Sequence, residues 1–319
     1  MTRALIFGIA GQDGHYLSRH LVAAGYSVVG IDHRSRPLPL LPSEIEVRRG
    51  DLSDSRSLRE LLDDVSPDQV YNLGAVSSLA EADADPALTF EVNGAGVIRL
   101  LEAIADVGGD GGIRFCQASS SQMFGIPRET PQDESTPLRP NNPYGVAKVI
   151  AHHAVGYYRS YHGAFATSAI LFNHESPLRK ERFVSRTITR AVARISLGLQ
   201  DSLELDNLDG IRDWGFAGDY VAAMHAMLQH GRPEDFVVAT GEPHSVRDLV
   251  TEAFRHVGVE EWEKFVRVKR TLPNAEKEPF PLGNSSKARR ELGWMPKTAW
   301  PDLVGMMVEQ DLASERGIS

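Results

Sequence analysis

Short apolar runs rich in β-branched residues alternate with stretches of helical periodicity from residue 3 to residue 171. A parallel sheet buried on both faces and connected through helices is written this way. The runs predict strands at Ala4–Phe7, Ser27–Ile31, Glu46–Arg48, Gln69–Asn72, Arg114–Ala118 and Thr167–Leu171. Helices are predicted over Gly14–Ala24, Ser55–Val65, Ala87–Asp106 and Pro143–Tyr161, the last opening on a proline suited to a first helical turn. The expected fold class is α/β, a Rossmann-like doubly wound parallel sheet. After Phe172 the alternation stops and a Pro- and Arg-rich stretch follows, before a last strand at Phe236–Thr240 and a helix at Val246–Val257. Residues 1–173, with the returning strand near 236–240, are therefore expected to form the first domain. Residues 174–319 should form mainly a smaller, partly interleaved C-terminal lobe. Ala313–Ser319 are expected to fray.

Composition narrows the classes. No apolar run approaches the roughly 20 residues a bilayer crossing needs, and Ala4–Gly8 meets glycine too early for a secretory signal. The fold is expected to start at the N-terminus and the protein to be cytoplasmic. A single cysteine, Cys116, excludes an internal disulfide or a cysteine-rich metal site, and its place in a strand predicts a small buried hydrophobe. A net charge of −9 excludes general nucleic-acid binding, so a phosphorylated ligand must be held by a few local arginines. No metal site is expected.

Between the first strand and first helix, Gly8, Gly11 and Gly14 frame Gly8-Ile9-Ala10-Gly11-Gln12-Asp13-Gly14. Such glycines permit a tight turn and let a pyrophosphate approach the helix N-terminus, although a βα turn often takes glycine for steric reasons alone. Gln12 and Asp13 fall inside this candidate cofactor turn. Asp32, closing the second strand, is placed to accept from an adenosine ribose, which favours NAD; Arg34 could pair with a 2′-phosphate, which would favour NADP, or be a solvated cation. Asp51 and Leu52 are placed to cap the adenine, Asp51 equally to close a turn. Leu73 and Ala75 end the fourth strand among small residues, and Asn93 is a polar residue in an apolar helix, either structural or part of the cofactor site.

Tyr144 and Lys148 stand four residues apart on one face of a predicted helix. An ammonium near a phenol favours the phenolate, so Tyr144 can take a proton from a substrate hydroxyl while hydride leaves the same carbon. Ser119-Ser120-Ser121, at the end of the fifth strand, adds hydroxyls that can orient the reacting oxygen. Glycine turn, acidic strand end, serine cluster and Tyr-x-x-x-Lys occur in the order such an enzyme needs.

With these residues the chain resembles the extended short-chain dehydrogenase/reductase family, and within it the GDP-mannose 4,6-dehydratases, over nearly its whole length. The resemblance is carried by Gly11-Gln12-Asp13-Gly14, Asn141 to Lys148, Leu171 to Pro177, Ile188 to Ile195, Leu197 to Asp201, Arg212-Asp213-Trp214-Gly215 and Ala239 to Arg247. It implies a sugar-nucleotide substrate, GDP-linked, approached by Asn173, Arg179, Arg186 and Arg212, with Ser121 beside the sugar. Arg212 suits a diphosphate, since a guanidinium grips phosphate bidentately, whereas Arg186 could be a helix-surface cation. His174 is expected to be structural, because Tyr144 and Lys148 already supply the acid–base group.

The departures bear on the reaction. Where the dehydratases read Ser-Thr-Ser-Glu-Leu-Tyr-Gly, this chain reads Ser119-Ser120-Ser121-Gln122-Met123-Phe124-Gly125. The resemblance assigns that glutamate the removal of the sugar C5 proton and the expulsion of the C6 hydroxyl, and an amide does neither. The loop after the second strand is cut to Ser35–Pro42, which weakens both NADP preference and tetramer assembly; a homodimer is the expected assembly. Leu272–Lys277 offers no clean counterpart of the C-terminal Arg-Pro-x-Glu. What remains is hydride transfer at C4 by Tyr144 with NAD: a GDP-sugar C4 epimerase, with a 4-keto-sugar reductase, or a dehydratase using His174 or Glu175 as base, as alternatives.

Overall fold

The computed structural model describes residues 1–33, 41–108, 112–269 and 279–317. The first half contains β1 (Arg3–Phe7), α1 (Gln12–Ala23), β2 (Ser27–Asp32), β3 (Glu46–Arg49), α2 (Ser55–Val65), β4 (Gln69–Asn72), α3 (Leu79–Ala84), α4 (Pro86–Phe90), α5 (Gly96–Gly108), β5 (Arg114–Ser120), α6 (Pro143–Tyr161) and β6 (Ala166–Leu171). Then follow β7 (Asn173–Glu175), α7 (Val184–Ser196), β8 (Leu203–Leu205), β9 (Ile211–Phe216), α8 (Ala217–Gln229), β10 (Phe236–Val238), β11 (Pro243–Ser245), α9 (Val246–His256), β12 (Val266–Val268), α10 (Ser286–Leu292) and α11 (Trp300–Glu315).

The strands assemble a seven-stranded sheet in the order β10-β6-β5-β4-β1-β2-β3, parallel at every pairing. This is the Rossmann-like doubly wound sheet. Strand alternation loads both faces: Ile6 of β1 packs with Leu17, Leu21, Met224 and Met227 of α1 and α8, while Leu5 and Phe7 pack with Leu58, Leu62, Leu100 and Val155 of α2, α5 and α6. A third core joins α7, α9 and α11 through Ile188, Val250, Phe254 and Val308, with Trp214 and Trp262. No helix among the described residues is long and apolar enough to cross a membrane.

The predicted helices over Ser55–Val65 and Pro143–Tyr161 agree with α2 and α6 at both ends, and β10 is the returning strand, two residues shorter than predicted. One expected helix divides. In place of Ala87–Asp106 the chain runs α4, a π-turn over Glu91–Ala95, then α5. Asn93 lies in that turn and spends its side chain on Val76, accepting from its N–H at 2.8 Å and donating to its carbonyl at 2.9 Å. Of the stretch expected to fray, residues 313–315 are helical, and 318–319 lie outside the described residues. α11 continues to Glu315, whose carboxylate pairs with Arg190 at 2.8 Å and Arg194 at 2.7 Å on α7.

Candidate active site

Both ends of the proposed chemistry lie at the carboxyl ends of the sheet strands, where ligands of such sheets bind. Phe7 of β1 leads into Gly8, whose φ is +80°, and a Cβ there would lie 2.8 Å from the backbone of Leu73 and Gly74. A Cβ on Gly14 would lie 2.5 Å from the Ile9 carbonyl. Both glycines are thus required by close backbone approach. Gly11, the N-cap of α1, brings no side-chain cap, so the first N–H groups of α1 are left for a ligand. Asp32 is buried at the end of β2, with His33 Nδ1 at 3.3 Å. This cradle fits the diphosphate and ribose of a nicotinamide dinucleotide. Arg34, Ser35–Leu40 and Leu272–Lys277 lie outside the described residues.

Several expected cofactor residues turn out to have structural partners. Asp51 Oδ1 accepts from the Ser53 N–H at 2.9 Å and hydroxyl at 2.8 Å, the turn-closing alternative. Leu52 is buried, its side chain close to Gly74 and Gly96. Asn93 holds Val76, in the segment that follows Leu73 and Ala75. Asn93→Ala leaves both polar groups of Val76 unpaired, and a stability loss of about 2 kcal/mol in urea titrations is expected.

Tyr144 follows Pro143 in the first turn of α6, capped by Asn142 Oδ1, which accepts from the Gly145 N–H at 2.8 Å. The Tyr144 phenol is within hydrogen-bond reach of the Ser120 hydroxyl; burial pushes its pKa up to about 12. Lys148, one turn on, is buried and donates to the Ala118 carbonyl at 2.7 Å, with its ammonium 5.5 Å from the Tyr144 ring centre. Burial lowers its pKa to about 8, so it stays cationic at neutral pH. The hydrogen bond of the ammonium is thus to the Ala118 carbonyl, and the phenol ring lies beside it. For the phenol, burial outweighs the lowering by the Ser120 hydroxyl and the Arg179 charge. Ser121 is buried; Ser119, also buried, carries a hydroxyl without a hydrogen-bond partner among the described residues.

Gln122 lies in a short 3₁₀ turn after β5, its N–H donating to Ser120 Oγ at 3.2 Å. Because the Asn142 oxygen is taken by a backbone N–H, the Asn142 amide nitrogen faces position 122 and donates to Gln122 Oε1 at 3.2 Å. The Gln122 NH₂ consequently points away from Asn142, and the side chain has no proton-accepting nitrogen.

Of the expected substrate arginines, Arg179 pairs with buried Glu175 at 3.0 Å and stacks on Phe183 at 3.6 Å. Arg186 is drawn into the second lobe, pairing with Asp311 at 2.7 Å, so a phosphate would have to compete for it. Arg212 is exposed on β9 opposite His244 of β11, and Asn173 opens β7. Two sets of contacts escaped the sequence reading. Buried Asp213 accepts from Thr240, Gly241 and Gly283, knitting β9 to the segments after β10; its only signal was a lone acid in an apolar strand. Asp13 and Gln12 are engaged by the segment after β6, a pairing between distant residues that no local pattern records.

Comparison with known proteins agrees with this geometry. A family model described as GDP-mannose 4,6 dehydratase matches residues 5–307. The chain is 44% identical over 324 residues to GDP-mannose 4,6 dehydratase 1 of Arabidopsis thaliana, covering 97% of this chain and 89% of the relative. It is 40% identical to GDP-mannose 4,6 dehydratase of Homo sapiens, covering 97% and 91% respectively. Among solved structures, RMD from Pseudomonas aeruginosa complexed with NADPH superimposes with a TM-score of 0.84 at 26% identity, covering 98% of this chain and all (100%) of that one.

Proposed function

The chain belongs to the GDP-mannose 4,6-dehydratase family, and from that premise we propose that it oxidises and re-reduces a GDP-sugar at C4 without deprotonating C5, releasing the C4 epimer. It is an NAD(P)-dependent enzyme of the sugar-nucleotide dehydratase and epimerase type. The nicotinamide of a dinucleotide held at the glycine turn would supply the acceptor and donor of the C4 hydride. Tyr144 takes the hydroxyl proton and gives it back, Ser120 orients the oxygen, and Lys148 supplies positive charge. Asp32 favours NAD, with NADP the alternative. Residues 1–173 and the strand near 236–240 are assigned to the dinucleotide; 174–319, with Asn173, Ser121, Arg179 and Arg212, to the GDP-sugar.

The carrying observation is Gln122, whose oxygen is occupied by Asn142. The alternative bases are also engaged. Glu175 is buried against the Ser185 hydroxyl at 2.6 Å and Arg179, and His174 directs both ring nitrogens at acceptors, Phe172 O and Asp13. His174 therefore offers no free lone pair to a sugar C–H, and Glu175 is buried with its Oε2 committed to Ser185 and Arg179. A homodimer belongs to the same reading, supported by the exposed Val146, Ile150 and Tyr157 on one face of α6, beside α4 with exposed Leu88 and Phe90.

Mass spectrometry of products from candidate GDP-sugars tests this. Unchanged mass with a new isomer is expected. Loss of water would restore the dehydratase, and a gain of two hydrogens with stoichiometric NADPH would mean a reductase.

A further inference from the structure

Between the glycine turn and the second lobe lies a largely buried charge pair, 13% exposed at His174 and 22% at Asp13, that the proposed chemistry does not use. Asp13, in the first turn of α1, accepts from Gln12 Nε2 at 3.1 Å and meets His174 Nε2 at 3.0 Å. The other ring nitrogen, Nδ1, meets the Phe172 carbonyl at 2.8 Å. A carbonyl and an ionised carboxylate only accept, so both ring nitrogens carry hydrogen and His174 is an imidazolium. The titration tendencies agree. For Asp13 burial works upward but is outweighed by His174, which holds the carboxyl at about 2; for His174 burial works downward but is outweighed by Asp13, and the imidazole is raised. Gln12 completes the junction, donating to the His174 carbonyl at 3.1 Å and accepting from the Ser176 hydroxyl at 2.8 Å. The His174 ring packs on Tyr220, 5.0 Å between centres, and Arg179 is the next cation, paired with Glu175.

A carboxylate in a first helical turn suits the helix dipole, yet it stands where a diphosphate must approach, and the two anions repel. We propose that His174 is a positioning residue for the dinucleotide: it cancels the charge of Asp13 and, together with Ser176, pins Gln12, so that the N-terminus of α1 attracts a diphosphate. Cofactor affinity is thereby tied to residues 172–176, which lead into the second lobe. The inference rests on the glycine turn being the dinucleotide site.

The test is titration of NAD, NADP and adenosine onto apoprotein by calorimetry, for wild type, His174→Gln and Asp13→Asn/His174→Gln. Glutamine still donates to Asp13 but carries no charge. His174→Gln is expected to weaken both dinucleotides about tenfold or more, most strongly at low salt. Adenosine, which has no diphosphate, should change by less than about twofold. The double variant, a neutral amide pair, should return to within about threefold of wild type. Dinucleotide affinity unchanged in His174→Gln, adenosine affinity falling in step, or a double variant as weak as the single one would each overturn the proposal. Should His174→Gln not fold, the double variant decides alone, because a tenfold loss there contradicts charge cancellation. Wild type failing to bind either dinucleotide would strike instead at the assignment of the turn.

Discussion

Tyr144→Phe is expected to lower kcat by about 10²–10⁴-fold, the range for loss of a positioned acid–base group, while dinucleotide still binds. The substitution removes one oxygen and keeps the ring that packs in the first turn of α6. The lost oxygen is the atom within reach of Ser120, on a ring whose centre lies 5.5 Å from the Lys148 ammonium. A phenol pushed up to about 12 by burial is a poor base alone; the positive charge of an oxidised nicotinamide would lower it when oxidation begins. Steady-state kinetics with parallel dinucleotide titration checks the prediction, and near-full activity in Tyr144→Phe would remove Tyr144 from the mechanism.

Gln122→Glu carries the second large effect, a gain of chemistry. Glutamate has nearly the shape of glutamine, and the Asn142 NH₂ that now donates to Gln122 Oε1 at 3.2 Å would donate as well to a carboxylate. That hydrogen bond and the nearby N-terminus of α6 would keep the new acid ionised, ready to accept a proton. Slow solvent exchange at C5, or release of water, is expected in the variant and not in wild type, read by NMR and mass spectrometry. The rate should be low, since the remaining contacts were not shaped for that step. If the variant only loses activity, position 122 serves to hydrogen-bond or pack, and the missing carboxylate does not by itself explain the chemistry.

Much of the first half was legible because its signals are local. β-branched runs between turn residues gave β1 to β6, and Asn142-Pro143 marked the start of α6 within a residue. Tyr144 and Lys148 were legible for the same reason, since helical spacing puts them on one face. The second half was less so. β7, β8, β9, β11 and β12 are short, and their pairings join distant segments, as Asn173 with Trp214 and Val266 with Leu203. The π-turn at Glu91–Ala95 was hidden because Asn93 pairs with Val76, which a helical pattern does not reveal. Arg186 looked free for phosphate only while its partner Asp311 lay 125 positions away in sequence. The imidazolium state of His174 likewise depends on a carbonyl and a carboxylate brought together by the fold.

The central claim, that the sugar is oxidised at C4 while C5 keeps its hydrogen, is tested most directly by the wild-type enzyme in D₂O. With a turned-over GDP-sugar, NMR of the product should find C5 fully protiated and the C4 configuration inverted, without loss of water. Deuterium at C5 in the wild-type product would contradict the account, because a base would then be removing the proton that Gln122 cannot take.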